Sequence, residues 1–183
     1  MRTFCIIPFL MACEPAPIPA PQPATPVKTE LSQRQLQSTS ASSVLEYKGS
    51  KYSAALAFDG DSTTAWCEGS KGIHGDWIEV TLTQPMKLAE IGIEGGFYRT
   101  NKTLIKNGRV RKMTIKGDEN WEAVLEFDFV PIRTHSTSNF RPTVTRFKDP
   151  KKAQTYRFTI DKADKGETTS DVCISEITLY TLK

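Results

Sequence analysis

Short runs of alternating apolar and polar residues fill the chain from Trp77 onward. In the clearest run, Trp77–Leu82, apolar residues stand at every second position, as in a strand that buries one face. Pro85 interrupts this pattern. Turns rich in Gly, Asp, Asn and Lys separate the later β-rich runs, which are Leu88–Ile93, Val110–Lys116, Trp121–Phe127, Thr143–Phe147, Tyr156–Ile160 and Cys173–Tyr180. No run keeps a helical period. The pattern predicts an all-β fold, an antiparallel β-sandwich of the jelly-roll type.

Residues 1–12 have the features of an export signal. They carry one charge, at Arg2, and a short apolar run that is too short to span a bilayer. The sequence Leu10-Met11-Ala12-Cys13 resembles the lipobox of bacterial lipoproteins. That resemblance implies cleavage before Cys13, acylation of Cys13, and a lipid anchor in the bacterial cell envelope, at the outer membrane or cell surface. An export signal cleaved elsewhere and a cytosolic protein with a fortuitous N-terminus are the alternatives.

Residues 13–42 differ in composition from the rest. Alternate prolines from Pro15 to Pro26 favour polyproline II and exclude both helix and sheet. The polar residues that follow predict a flexible linker with at most a turn or two of helix near Glu30–Gln37. The predicted division is an export signal over residues 1–12, a lipidated, disordered linker over residues 13–42, and the β-sandwich over residues 43–183.

Charge is nearly balanced, with 24 basic and 21 acidic residues, so the total does not indicate a nucleic-acid-binding protein. The local distribution is uneven. Seven basic residues and no acidic residue lie between Gly95 and Gly117. Such a stretch is either a solvated strand face or a surface that attracts an anionic ligand.

The residues of the chain do not indicate an enzyme. The two histidines, His74 and His135, lie outside any recognisable catalytic motif, and we expect His74 to be an exposed loop residue. The sequence contains no phosphate-binding loop, nucleophile elbow or His-Glu-x-x-His motif. We therefore expect a binding protein without catalytic activity.

One oxygen-rich loop, Ala57–Trp66, indicates a site for a hard cation. Asp59, Asp61, Thr63 and Thr64 surround a glycine there, and carboxylate, hydroxyl and carbonyl oxygens are the ligands that calcium prefers. The alternative is a tight Asp-Gly turn between two strands.

The order of this loop, the Trp77–Leu82 strand and Ile174-Ser175-Glu176-Ile177 resembles the discoidin-type, galactose-binding-like β-sandwich. More narrowly, the segments Gly96-Phe97-Tyr98, Lys106–Lys112 and Asp171–Ile177 look like the glycan-binding-type translocation domain of streptococcal NAD-glycohydrolases. The resemblance covers roughly residues 43–183.

The resemblance implies one structural calcium ion between the loop and the last strand. Its ligands would be the carbonyls of Leu56, Asp61 and Ser175, the carboxylates of Asp59 and Glu176, and the hydroxyl and carbonyl of Thr64. This set approaches the roughly six to eight oxygens that calcium takes. Direct hydrogen bonds among Asp59, Thr64 and Glu176 could replace the metal.

A ligand site requires aromatic, hydrogen-bonding and charged side chains on loops at one end of the sandwich. The segment Gly95–Lys102 supplies all three, and the resemblance places further ligand contacts in corresponding loops. The candidate ligand residues are Glu68, Tyr98, Arg99, Asn107 and Arg109. The large aromatic residues Trp66, Trp77 and Phe97 are predicted to lie in the core.

Four cysteines are present. Cys5 lies in the predicted export signal and Cys13 would carry lipid, so Cys67 and Cys173 remain for the domain. If the loop and the last strand meet at a calcium ion, these two sulfurs come close enough to form a disulfide. Two buried free thiols are the alternative.

These features together predict a secreted, lipid-anchored module that binds a glycan or another anionic surface ligand without catalysis. Its membrane contact would be through the lipid anchor alone, with no nucleic-acid partner. The rival prediction is an envelope lipoprotein that docks a protein partner and has no sugar site. A sugar site predicts a small pocket with Tyr98 exposed, whereas protein docking predicts a wider apolar patch.

Overall fold

The computed structural model of the chain describes residues 27–70, 72, 74–127 and 142–182. The predicted export signal, Cys13 and His135 lie outside the described residues. His74 is exposed, as predicted. No helix in the described part is long and apolar enough to cross a membrane.

Strands dominate the described residues, with one short α-helix and two 3-10 turns, Gln33–Gln35 and Ala54–Ala57. In chain order the elements are β1 (Lys28–Glu30), β2 (Leu36–Ala41), β3 (Glu46–Tyr47), β4 (Ser50–Lys51), β5 (Trp66–Cys67), β6 (Trp77–Glu94), α1 (Asn101–Lys106), β7 (Gly108–Gly117), β8 (Trp121–Glu126), β9 (Thr143–Asp164), β10 (Val172–Ile174) and β11 (Glu176–Leu182).

The main sheet has the strand order β1-β11-β6-β9-β7-β10-β5, with β2 added on β6 and β8 added on β7. Strands β3 and β4 form a separate hairpin. Strand β10 runs parallel to β7, and every other pairing among the described strands is antiparallel. The sheet curls into the predicted jelly-roll sandwich, so the predicted fold class is confirmed.

Strand β6 joins two runs that the sequence pattern separates at Pro85. The register shifts between Thr81 and Met86, and Pro85 is exposed at that shift, where it removes no ladder hydrogen bond from the core. Strand β9 follows β6 on both sides of the shift and joins the predicted runs Thr143–Phe147 and Tyr156–Ile160. We call this turning point of β6 and β9 the corner end of the sandwich.

Both ends of β6 reach the same group of loops. Asp76, just before β6, contacts Ser70, and Ser70 contacts Glu68, which accepts a hydrogen bond from the Val172 amide. The Ser175 amide, three residues further on, donates to the carbonyl of Glu94 at the other end of β6. We call this group of loops, opposite the corner end, the loop end.

The sandwich encloses one large apolar core. Ile78, Val80 and Leu82 of β6 are fully buried in it, as the alternation predicts. Trp66 and Phe97 are also buried, which confirms two of the three predicted core aromatics. Trp77 is only half-buried, and the Arg157 guanidinium lies 4.0 Å from the centre of its ring, so the core assignment of Trp77 is wrong.

The folded domain begins earlier than residue 43. Strand β1 pairs with β11 and β2 pairs with β6, so the predicted linker over residues 13–42 extends too far. At most one or two helical turns were predicted near Glu30–Gln37, and the structure contains one 3-10 turn there, Gln33–Gln35. Strand β2 pairs only with β6 and leaves half of its residues exposed, so its sequence can be polar. Such a sequence resembles a linker in composition.

Glu90 fixes the N-terminal strand to the sheet. Its buried carboxylate lies 2.6 Å from Lys28 Nζ and 2.6 Å from Arg146 Nε. Burial opposes ionisation, but the hydrogen bonds from these two cations outweigh it and hold the pKa of Glu90 below its ordinary value. The first residue of β1 is therefore held by charge as well as by backbone pairing.

Candidate ligand and metal sites at the loop end

Cys67 and Cys173 form a disulfide, as predicted. The two cysteines are register partners on β5 and β10, and both are buried. They form a small apolar cluster with Ala65 and Phe97. This cluster ties the oxygen-rich loop to the end of the chain.

Oxygens of the loop converge on one hydroxyl group. Thr64 Oγ1 lies 2.8 Å from Asp59 Oδ2, 3.1 Å from the Leu56 carbonyl and 3.0 Å from the Asp61 carbonyl. The Asp61 carboxylate instead accepts from the Thr63 amide and hydroxyl, which lower its pKa. The structure thus brings together four of the six predicted metal ligands, with Asp61 contributing its carbonyl to the group.

Glu176 brings the last strand to this loop. Its Oε2 atom accepts from the Gly60 amide at 2.9 Å. Burial is the main cause that raises the pKa of Glu176 to about 7, and the nearby carboxylates of Asp59, Glu94 and Glu30 add to the shift. A half-buried carboxylate among other carboxylates is a place where a cation would relieve repulsion.

The donor set fits a hard cation. It combines carbonyls and one hydroxyl with the two carboxylates of Asp59 and Glu176, which suits calcium and not zinc. The described part of the chain contains no group of three or more His, Cys, Asp or Glu side chains placed to hold a metal, so calcium would depend on the neutral oxygens. The alternative to a metal was a set of direct hydrogen bonds among Asp59, Thr64 and Glu176. The bond between Thr64 and Asp59 is present, whereas the Glu176 carboxylate accepts from the Gly60 amide.

Four of the five predicted ligand residues are buried. The exposed fractions are 1% for Glu68, 6% for Tyr98, 8% for Asn107 and 4% for Arg109, whereas Arg99 is exposed. The expectation of an exposed Tyr98 is therefore wrong. The Tyr98 amide donates to Ser175 Oγ at 3.0 Å, which turns this residue toward the last strand, and burial raises the pKa of its phenol.

Glu68 is part of a buried hydrogen-bond network. Its Oε1 atom accepts from the Val172 amide, and its Oε2 atom lies 3.0 Å from Ser70 Oγ. Ser70 Oγ also lies 2.5 Å from Asp76 Oδ2. Burial is the main cause that raises the pKa of Glu68, whereas hydrogen bonds from Ser42, Ser43 and Ser70 outweigh burial and lower the pKa of Asp76. The network holds three loops together and presents no carboxylate to solvent.

Asn107 and Arg109 also have structural surroundings. Asn107 Nδ2 donates to the Thr103 carbonyl at 2.8 Å and its Oδ1 atom accepts from Thr169, so the residue joins α1 to a neighbouring loop. Arg109 packs against Gly96, where an added Cβ would lie 3.3 Å from Arg109 Cγ and 2.9 Å from Leu104 Cδ1. Burial lowers the pKa of Arg109.

Arg99 lines a pocket of about 280 Å³ beside the oxygen-rich loop. Lys51 and Tyr52 line it from the hairpin side, and Thr63 and Phe97 complete its wall. The rings of Tyr52 and Phe97 meet edge to face, with centroids 5.8 Å apart. Within the described part of the chain, Arg99 forms no hydrogen bond or ion pair, so its guanidinium is available to a ligand.

The backbone of Tyr52 is well positioned. Its amide donates to the Leu45 carbonyl and its carbonyl accepts from the Cys67 amide, which places the ring over the disulfide cluster. Neither Lys51 nor Tyr52 is among the ligand residues predicted from the sequence. The signal for them is the two-residue turn Lys48-Gly49, which marks a hairpin and hence a second exposed loop.

The basic stretch between Gly95 and Gly117 divides into two parts. On β7, Arg111 pairs with Asp164, Lys112 with Glu126 and Lys116 with Glu122. The strand part is therefore mostly a surface of ion pairs, and Arg109 is buried. The other part, with Arg99 before α1 and Lys102 and Lys106 on α1, leaves its positive charge at the loop end.

Residues 31–180 match the family model of the NAD glycohydrolase translocation F5/8 type C domain. The chain belongs to this family. The predicted discoidin-type resemblance is confirmed, and the match to the translocation-domain family begins at residue 31, within the segment that the sequence analysis assigned to the linker. No curated protein sequence matches the chain.

Several solved structures share the fold of this translocation-domain family member. The family 32 carbohydrate-binding module of Clostridium perfringens NanJ, in complex with galactose, is 19% identical, with a TM-score of 0.59, over 84% of this chain and 99% of that chain. A module from a C. perfringens family 31 glycoside hydrolase is 21% identical, with a TM-score of 0.61, over 83% and 94%. An F5/8 type C domain of Bacteroides fragilis is 18% identical, with a TM-score of 0.56, over 85% and 97%.

Proposed function

We propose that the loop end is a non-catalytic glycan-binding site of a secreted, lipid-anchored protein. The observation that carries this proposal is the exposed Arg99 in a pocket beside Lys51 and Tyr52. The carbohydrate-binding modules that share the fold support it, because one of them is in complex with galactose. Arg99 is the predicted ligand residue that remains accessible, and Tyr52 takes the aromatic role that we assigned to Tyr98.

The pocket contains the groups that a sugar requires. A guanidinium presents several N–H donors that suit neighbouring hydroxyls or a carboxylate. The half-buried ring of Tyr52 offers apolar surface to the C–H face of a sugar, and Thr63 adds a hydroxyl. The disulfide cluster beneath the ring limits its movement, which reduces the entropy lost on binding.

A calcium ion would support this pocket from behind. We propose that Leu56, Asp59, Asp61, Thr64, Ser175 and Glu176 hold it and that it acts structurally, by supplying positive charge between the loop and the last strand. Leu56 and Thr64 belong both to this set and to the wall of the pocket. The position of the pocket wall would therefore depend on the ion.

The direction of the N-terminal strand agrees with a lipid anchor. Lys28 pairs with Leu182 near the corner end, whereas Glu176, at the start of the same strand β11, lies at the loop end. A lipid on Cys13 would attach the chain ahead of β1. The proposed pocket would then face away from the membrane of the cell envelope, toward external glycans.

Docking of a protein partner is the rival function. It calls for a wide apolar patch. The exposed large apolar residues in the described part are Val27, Tyr47, Val124, Val144 and Leu182. Val27 and Leu182 lie close together, since Lys28 pairs with Leu182, but the other three lie on the separate strands β3, β8 and β9. Two adjacent side chains do not make a wide patch, so the rival gains little support from them.

A glycan array tests the proposal. The wild-type protein, Arg99→Ala and the control Lys87→Gln would be compared, since Lys87 is an exposed lysine at the corner end. The proposal predicts binding by the wild type and the control and its loss in Arg99→Ala. Absence of binding by a folded wild-type protein, or undiminished binding by Arg99→Ala, would refute it.

A further inference from the structure

Tyr47 is an exposed aromatic residue between two lysines. Its exposed fraction is 49%. The ammonium groups of Lys48 and Lys106 each lie 5.4 Å from the centre of its ring. The two lysines come from different elements, the hairpin and α1, so the fold and not only the local sequence creates this grouping.

The hairpin turn holds Lys48 in an unfavourable backbone conformation. Lys48 has φ 50° and Gly49 has φ 79°, as a two-residue turn of type I′ requires. Asn, Asp or Gly is the usual first residue of this turn, because a longer side chain is disfavoured at positive φ. Turn geometry therefore does not explain a lysine here, and strained positions of this kind often have a functional reason.

The hairpin connects this grouping to the proposed pocket. Tyr47 is the register partner of Ser50, and Ser50 and Lys51 line the pocket with Arg99. Glu46 supplies a carboxylate on the same hairpin, but its interaction with Lys51 is a solvent-exposed ion pair of 3.6 Å. Tyr47 and Lys48 therefore adjoin the pocket through the hairpin, in a region where lysines and Arg99 outnumber the one carboxylate of Glu46.

We propose that Tyr47, Lys48 and Lys106 form a second subsite that binds the carboxylate or sulfate of an acidic glycan. A neighbouring sugar of the same glycan occupies the Arg99 pocket, so the inference rests on the proposed function and specifies its ligand class. The two ammonium groups bind the anionic group, and the tyrosine ring contacts the apolar face of the acidic sugar. The proposed ligand is therefore an oligosaccharide with one sugar in each place.

The test compares matched acidic and neutral glycans. Carboxylated oligosaccharides are paired with their methyl esters, and sulfated oligosaccharides with their unsulfated forms. Affinities are measured by titration calorimetry for the wild type, Lys48→Asn, Lys106→Gln, the double variant of these two, Arg99→Ala and the control Lys87→Gln. Asparagine suits the turn better than lysine, so Lys48→Asn removes the charge without harming the hairpin, and a thermal melt verifies this.

The proposal predicts that the acidic member of a pair binds more tightly and that combining Lys48→Asn with Lys106→Gln reduces this preference about fivefold. The affinity for the neutral form stays unchanged, as does every affinity of Lys87→Gln. Equal binding of acidic and neutral forms, or an unchanged preference in the double variant, would overturn the second subsite and leave the pocket intact. If Arg99→Ala loses affinity for both the acidic and the neutral oligosaccharide, the shared sugar binds in the Arg99 pocket, as the proposal requires. Absence of all glycan binding would overturn both proposals.

Discussion

Gly60 donates its amide proton to the Glu176 carboxylate over 2.9 Å, which joins two points 116 residues apart in the chain. The oxygen-rich loop thereby meets the last strand. The disulfide between Cys67 and Cys173 makes a second connection between the same two regions. Residues of this loop form part of the wall of the Arg99 pocket, so both connections help to hold that wall in place.

Stability in the absence of metal should fall as the pH rises from about 4.5 to about 7. The folded state raises the pKa of Glu176 from its ordinary 4.5 to about 7, chiefly by burial. Between these values the folded protein binds a proton that the unfolded chain does not, so rising pH favours unfolding. Thermal melts in EDTA across this range measure the effect. Glu176→Gln should flatten the profile, and an unaltered profile in that variant would contradict the assignment.

Calcium should stabilise the protein at neutral pH. A site on the folded state that is absent from the unfolded chain contributes about 2.7 kcal/mol when the calcium concentration is about 100 times Kd. Thermal melts with and without calcium measure this stabilisation. In the Asp59→Asn variant, calcium should raise the melting temperature much less than in the wild type. Magnesium serves as the control, because it demands a smaller, more regular octahedral site. No calcium-dependent shift in the wild type would favour the metal-free hydrogen bonds.

Removal of the disulfide should destabilise the fold strongly. The bond closes a loop with a sequence separation of 106 residues, for which chain entropy predicts a contribution of about 4.7 kcal/mol. The double variant Cys67→Ala with Cys173→Ala is compared with the wild type by urea unfolding. An unchanged free energy of unfolding would show that packing alone holds the two strands together.

Tyr98→Ala should impair stability more than recognition. Its buried ring would leave a cavity in the wall of the domain, at a cost of about 3–5 kcal/mol in the free energy of unfolding. Tyr98→Phe keeps the ring and should retain glycan binding. Denaturant unfolding measures the loss of stability in each variant, and the glycan array measures its binding. A folded Tyr98→Phe protein that no longer binds glycan would restore Tyr98 as a ligand residue.

A variant that begins at residue 43 should be much less stable than one that begins at residue 27. The shorter chain lacks β1 and β2, and it leaves Glu90 without the ammonium of Lys28. Circular dichroism melts of the two chains measure the difference. Equal melting temperatures would support the domain boundary predicted from composition.

Much of the fold could be predicted from the sequence, but less of the candidate site could. Alternation reveals Trp77–Leu82 because that strand buries one face, whereas the polar strand β2 resembles a linker. Pro85 separates two runs in the sequence and only marks a corner in space. The oxygen-rich loop could be recognised because most of the proposed calcium ligands are close together in the chain, whereas Ser175 and Glu176 lie near its end.

The ligand residues were harder to predict because loop sequences do not show which side chains point inward. Tyr98 follows a strand end and has polar neighbours, yet its amide bonds to Ser175, which is distant in sequence, and its ring is buried. Tyr52, which follows the hairpin, was not predicted, because the turn that marks this hairpin has lysine in place of the usual asparagine and is easily overlooked.

The central claim is that a glycan binds in the Arg99 pocket, and its location can be measured by NMR. The best ligand from the array would be titrated into isotope-labelled protein while amide shifts are followed. We predict the largest shifts at Ser50–Tyr52, Thr63–Ala65 and Phe97–Thr100, and their absence in Arg99→Ala. Shifts concentrated at the corner end, around Thr81–Met86, would contradict the account.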